Sequence, residues 1–239
     1  MKAIIAAAGE GKRMHPLTLA TPKSLIEVNG LPTIDYIFSS LPDEITEVVV
    51  IVKYLGGQIK DYLGKKHFGK RVYITEGSDR GNAYSVLSAK PFINYQERFL
   101  FMFGDLFPLP QDVSNCLKKE LSVLVFESKT PQKHGIVSLK SDGSIGEIVE
   151  KPEHPASRLA VGGVMVLNDK IFYYPAFPSS TGEYFFTSLL NQFVKEHKVV
   201  PVVTVGPFLE DLSSLEDIAR LEKILSSTKT SIKIKHNET

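Results

Sequence analysis

The sequence has no tryptophan and only one cysteine, Cys116, among its 239 residues. A single cysteine excludes an intramolecular disulfide, and no Cys or His cluster has the spacing of zinc ligands. So few thiols suit a reducing compartment, and a cytoplasmic location is expected. An excess of either charge is also missing. Lys and Arg number 28 against 27 Asp and Glu, a formal net charge of +1. That balance creates no long-range field for nucleic acid or an anionic membrane, so neither is expected as a partner and basic residues must act locally. No stretch approaches the roughly 20 apolar residues of a membrane-spanning helix. Met1-Lys2 and the run up to Ala6-Ala7-Ala8 imitate a secretion signal, but the run is too short for a signal core and turns polar at once from Gly9 to Arg13. Internal repeats and low-complexity linkers are lacking too. The chain is 43% hydrophobic, enough for one domain with a sizeable core.

What is present is an alternation of apolar β-branched runs with amphipathic segments. Strands are expected at residues 2–7, 47–52, 71–75, 99–103 and 122–126, and helices at 32–40, 57–65, 81–90 and 111–119. Pro32 suits a first helical turn. Such alternation makes βαβ units and a mainly parallel sheet. From residue 134 the pattern changes. HGIVSLKSDGSIGEIVEKP reads as two strands around a Ser141-Asp142-Gly143 turn,. LAVGGVMVLN and VVPVVTV read as further strands. GEYFFTSLLNQFVKEHK reads as a helix with Phe185, Leu189, Phe193 and Val194 on one face,. SLEDIARLEKIL reads as a closing helix that Ser214 caps, with Asp217 three residues on as in a capping box.

The first strand runs straight into Gly9-Glu10-Gly11, followed by Lys12, Arg13 and Lys23. Parallel sheets bind ligands at the carboxyl ends of their strands. Glycines there let a ligand approach the backbone and free its N–H groups for anions, while the cations add charge. A polyphosphate fits this pattern; a flexible turn with a solvated charge run fits it as well. The Walker phosphate loop is absent, and the dinucleotide pattern lacks its third glycine, at Met14.

AAAGEGKRMHPLTLATPK resembles the signature of the sugar-1-phosphate nucleotidyltransferases, Gly-x-Gly-x-Arg-x-x-Pro-Leu-Thr followed by Pro-Lys. Gly9, Gly11, Arg13, Pro16, Leu17, Thr18, Pro22 and Lys23 stand in its fixed positions. RGNA at 80–83 resembles the family's base-contacting turn, with Gly81, Asn82 and Ala83 in particular, FGDLF its metal-binding Gly-Asp, VEKP its Glu-Lys-Pro, VGGVMVLN its sugar-site strand and GEYFFTSLL its Gly-Glu element. FLEDLSSLEDI resembles its Trp-x-Asp-x-Gly-Thr stretch, with Ser213 and Ser214 in place of the glycine and threonine.

The resemblance implies a three-layer α/β/α sandwich around a mixed, mostly parallel sheet, a Rossmann-like nucleotidyltransferase (glycosyltransferase-A-like) fold. It is expected as one domain: a nucleotide half to about 130, a sugar-phosphate half to about 226, and a tail. The implied substrates are an NTP, with dTTP or UTP expected first, and a sugar 1-phosphate, glucose 1-phosphate first. Ala7, Ala8, Gly9, Gly11, Lys12, Arg13, Gly81 and Asn82 would hold the nucleotide. Arg13, Lys23 and Asp105 would be catalytic. Lys151, Gly163 and Glu183 would meet the sugar phosphate, and Asp105 with Asp211 would hold Mg²⁺.

For each there is an ordinary reading. Asp105 caps helices as Asp often does, Asp211 is one of several acidic residues on a solvated face, Lys151 is a surface lysine, and Glu183 decorates a first helical turn. Gly162-Gly163 marks either a strand bulge or close ligand approach. His15 and His134 receive no role, and Cys116 is read as a core or helix-face residue. Two alternatives remain: a CTP:phosphocholine cytidylyltransferase-like enzyme, which would need an aromatic cage, and an inactive nucleotide-binding regulator of the same fold. Many relatives add a β-helix of hexapeptide repeats; none is seen, and no second activity is expected. A homo-oligomer is left open.

Overall fold

The computed structural model describes residues 1–179, 181–206, 212 and 214–227. In chain order the elements are β1 (Lys2–Ala7), β2 (Glu27–Val28), β3 (Leu31–Pro32), α1 (Thr33–Ser40), β4 (Glu47–Val52), α2 (Gly56–Leu63), β5 (Lys66–His67), β6 (Lys70–Glu76), α3 (Asn82–Leu87), β7 (Arg98–Phe103), α4 (Pro110–Leu117), β8 (Ser122–Glu127), β9 (Gly135–Leu139), β10 (Ile145–Glu150), β11 (Leu159–Asn168), α5 (Thr187–Glu196), β12 (Val200–Val203) and α6 (Leu215–Ser227).

One large sheet forms the middle layer. β7, β1, β4 and β6 run parallel side by side. β11 is antiparallel to both β7 and β8, and β12 runs parallel to β8. The β9–β10 hairpin attaches along the first half of β11. Alternate residues of each strand feed opposite faces. Ile4, Val49, Ile51, Phe99 and Phe101 pack beneath α3 and α5, against Val86, Leu189, Leu190 and Phe193. Ala3, Ile5, Val48, Val50, Leu100 and Met102 pack on the other face, against Ile34, Phe38, Ile59, Leu63 and Val113. Each fully buried Ile or Phe contributes roughly 1.5–3 kcal/mol. Central strands buried on both faces are continuously apolar for this reason, as IIAA and VVVIV are. This is the expected three-layer α/β sandwich with a mixed, mostly parallel sheet.

Four details depart from the sequence reading. Pro32 is extended, at φ −54° and ψ 139°, and precedes α1 as its cap; it pairs with Glu27 in the small β2–β3 hairpin. α3 stops at Leu87, short of Lys90; Ser88 and Ala89 keep right-handed helical angles and the chain passes into a single 3-10 turn over Lys90–Phe92. The helix expected from Gly182 starts at Thr187. Residues 184–186 are instead tied to the first turn of α3: Ala83 N–H donates to the Tyr184 carbonyl at 3.0 Å and Phe186 N–H to Asn82 Oδ1 at 2.6 Å. The inward α5 face accordingly carries Leu189, Leu190, Phe193 and Val194, with Phe186 rather than Phe185 buried ahead of it. Half of the capping box expected at Ser214 forms: its N–H donates to Asp217 Oδ2 at 2.7 Å, while its Oγ donates to the same oxygen at 3.0 Å.

Candidate active site

The carboxyl ends of β1, β4, β6 and β7 open into a cavity of about 1060 Å³. Its floor is Ala7, Ala8 and Gly104, and Gly9, Gly11, Lys12 and Arg13 form one wall. Gly11 is left-handed, at φ +68°, and a Cβ there would stand 3.0 Å from Thr18 Cγ2, so this turn requires glycine. Its carbonyl accepts from Met14 N–H at 2.8 Å and from Thr18 Oγ1 at 2.9 Å. Met14 and Thr18 are fully buried. The loop is thus pinned from within, and Lys12 and Arg13 are left exposed between the pins. A Cβ on Gly9 would meet nothing within 4 Å, so its backbone is open to a ligand. Lys12 lies 3.3 Å from Glu10 in an exposed pair of little energetic weight,. Arg13 has no ion-pair partner among the described residues.

Across the floor, Asp105 follows β7 and Gly104. Lys23 Nζ donates to Asp105 Oδ2 at 2.5 Å, in a pair whose side chains are 14% and 27% exposed. A Cβ on Gly104 would lie 2.8 Å from both the Ala6 carbonyl oxygen and Ala7 Cα. Only glycine lets the end of β7 lie this close to β1, and that closeness sets Asp105 beside the glycine loop. At the far end, Gly81 has φ +113°, and its Cβ would come within 2.6 Å of the Tyr184 carbonyl oxygen. Ser85 Oγ accepts from Ser78 N–H at 3.0 Å and closes this turn.

A smaller cavity of about 230 Å³ adjoins, sharing Asn82, Phe103 and Asp105 with the larger one. Glu150, Gly163, Phe126, Phe185 and Phe186 contribute to its wall. β11 shifts register between Val161 and Met165, so Gly162-Gly163 lies in a strand irregularity, and both glycines also line this cavity. Gly163, at φ +78°, has no room for a Cβ beside Leu106 and Phe103. Lys151 lies at the rim, with Nζ 4.6 Å over the Phe185 ring and 3.7 Å from Glu150 Oε1.

Glu183 lines the larger cavity, not the smaller. It also precedes α5 by four residues, which overturns the first-turn reading. Asp211 lies outside the described residues. Sequence reasoning missed His134, which lines the smaller cavity with a buried, unpartnered Nε2, and Ser24, whose buried Oγ is likewise unpartnered on the larger one. A lone His and a lone Ser carry no spacing signal that would reveal either. Cys116 is a buried core residue, and burial pushes its thiol up to about 12.

Among the described residues no three His, Cys, Asp or Glu side chains gather as metal ligands, and Asp105 is the acidic group shared by the two cavities. Mg²⁺ is held by one or two carboxylates together with substrate phosphates and water. The donor set therefore fits a magnesium ion delivered with a polyphosphate. No helix among the described residues is long and apolar enough to cross a membrane.

The family model described as nucleotidyl transferase matches residues 2–225. The bifunctional protein GlmU of Methanocaldococcus jannaschii is 33% identical over 241 residues, covering 100% of this chain and 58% of that protein. The UTP–glucose-1-phosphate uridylyltransferase AglF of Haloferax volcanii is 27% identical over 242 residues, covering 96% of this chain and 98% of its own. The chain thus spans about half the length of several curated relatives and nearly all of AglF. A crystal structure of UDP-glucose pyrophosphorylase with UDP-glucose superposes with a TM-score of 0.81 at 19% identity, over 94% of this chain and 98% of that one, a likeness of fold.

Proposed function

The chain belongs to the nucleotidyl transferase family, and on that premise we propose that it joins a nucleotidyl group from an NTP to a sugar 1-phosphate, releasing pyrophosphate. The observation that carries this reading is the meeting of two cavities at Asp105, one sized for a nucleotide beside a glycine loop, the other smaller and partly polar. We assign dTTP or UTP as donor and glucose 1-phosphate as acceptor. The name of AglF, a relative that matches along its whole length, supports UTP and glucose 1-phosphate.

In this reading the triphosphate lies along Gly9 and Gly11, with the base toward Ala8 and Gly81. A phosphate oxygen of the acceptor attacks the α-phosphorus in line. The bond from that phosphorus to the β-phosphate oxygen breaks, and pyrophosphate leaves. A phosphate monoester is already an anionic nucleophile, so no general base is needed. Catalysis is then positioning and charge neutralisation. Arg13 and Lys12 hold the leaving phosphates. Lys23 and Lys151 steady the two phosphates being joined. Asp105, with Asp211 by the family resemblance, would hold Mg²⁺, which would supply charge neutralisation at the phosphate oxygens. Glu183 is assigned to the acceptor hydroxyls by the family resemblance, although it lines the larger cavity and not the smaller.

One observation favours a second reading. An ammonium, that of Lys151, already rests on the Phe185 face beside Glu150, and Phe103, Phe126 and Phe186 also line this cavity. Aromatic faces with a carboxylate suit a quaternary ammonium, as in phosphocholine. A matrix of four NTPs against glucose 1-phosphate, mannose 1-phosphate and phosphocholine, scored by pyrophosphate release, decides. Turnover with a sugar 1-phosphate, and loss of it in Glu183→Gln, is expected. CTP with phosphocholine as the one productive pair refutes the sugar reading. Silence across the matrix points to a nucleotide-binding regulator.

A further inference from the structure

We infer that in the free protein Lys23 occupies the metal's place on Asp105, so that the site refuses a divalent cation until a nucleotide supplies the lysine with phosphate oxygens. The inference rests on the proposed reading of Asp105 as the metal carboxylate. The two residues are given separate tasks there, one on phosphate and the other on metal. Yet they touch, Nζ to Oδ2 at 2.5 Å, on the wall of the nucleotide cavity.

The pairing is built in from both sides. The Lys23 stem packs against Gly11, where a Cβ would lie 3.4 Å from Lys23 Cβ and 3.6 Å from its Cδ. Asp105 is held by the close approach at Gly104 and by Leu212 N–H, which donates to its carbonyl at 3.3 Å. A divalent cation on the same carboxylate would sit within a few ångströms of an ammonium, in a partly buried setting where solvent screens poorly. Ammonium and dication would compete for that carboxylate. Of the other acidic residues in this cavity, Glu10 lies by Lys12 and Asp79 by Lys53, while Glu76 and Glu183 also contribute to its lining.

A triphosphate alters this balance. It brings several anionic oxygens to the loop against which the lysine stem lies. A flexible four-carbon stem lets the ammonium turn to them. Asp105 is then released to the metal. Nucleotide and metal affinities become coupled, each raising the other by the same factor. If the pair were structural only, removing the lysine would weaken the fold without raising affinity for a cation.

The test is titration of Mn²⁺ into ligand-free protein, with unbound Mn²⁺ followed by electron paramagnetic resonance. Lys23→Met, which keeps the stem and drops the charge, is expected to bind Mn²⁺ at least tenfold tighter than wild type. Lys23→Arg should bind as weakly as wild type. Asp105→Asn in the Lys23→Met background should remove the gain. If Lys23→Met fails to fold by circular dichroism, Lys23→Gln takes its place. Equal affinity in wild type and the neutral variant overturns the inference, and so does a gain that survives Asp105→Asn. Failure of the transfer reading is distinguishable, because it shows as no pyrophosphate in the substrate matrix while the Mn²⁺ pattern persists.

Discussion

Replacing Gly104 with alanine adds one methyl group at the point where β7 leaves β1. The new Cβ would stand 2.8 Å from the Ala6 carbonyl oxygen, Ala7 Cα and Ala7 Cβ, about 0.6 Å short of ordinary contact. β1 cannot yield, since β4 and β7 hold it along both edges. The end of β7 must move, and Asp105 moves with it. Overpacking of this kind costs about 1–3 kcal/mol of stability. A misplacement approaching 1 Å at a reacting centre costs on the order of 100-fold in rate, or about 2.7 kcal/mol in the barrier. Gly104→Ala should therefore lower the urea midpoint modestly and kcat/KM by about two orders of magnitude, measured by pyrophosphate release. Gly9→Ala is the control, because its Cβ would meet nothing within 4 Å, and its urea midpoint should match wild type. A Gly104→Ala protein with wild-type midpoint and turnover within threefold would refute the claim that this close approach positions Asp105.

Arg13→Ala should reduce kcat/KM by about 10²–10³-fold, the loss typical of one electrostatic donor, with little change in the urea midpoint because Arg13 is exposed and unpaired among the described residues. A change confined to the acceptor KM would remove it from the leaving phosphates. Cys116, with its thiol pushed up to about 12 by burial, should resist alkylation by iodoacetamide at pH 8 in the native protein and react fully in urea, as read by mass spectrometry.

The parallel core was legible because its chemistry is local. IIAA and VVVIV are apolar without alternation, and a segment buried on both faces needs nothing else to declare itself. β1 and β4 fall on the expected bounds. The glycine loop was legible for a similar reason, since Gly11 must be glycine for its own backbone angle. Residues 183–186 were not legible. Their helical period is real, but bonds to Asn82 and Ala83, a hundred residues earlier, outweigh it. The two-residue strands β2 and β3 are too short to carry a period. His134 and Glu150 reach the smaller cavity through hairpin geometry, which single residues do not encode.

The loop's inward pin has a consequence for local unfolding. Met14 is buried in a small third core with Ile26, Val28, Tyr36 and Phe107, and this core is closed by Leu212 and by Leu221 of α6. The phosphate-facing turn and a helix two hundred residues later thus share one patch of apolar burial, apart from the two larger cores of the sheet. Segments that share a core open together. When α6 lifts, the turn loses its interior anchor, and the amides of residues 11–14 become exposed to hydrogen exchange while those of β1 stay protected. The rigidity of the loop is therefore set by the docking free energy of α6 rather than by the stability of the central sheet.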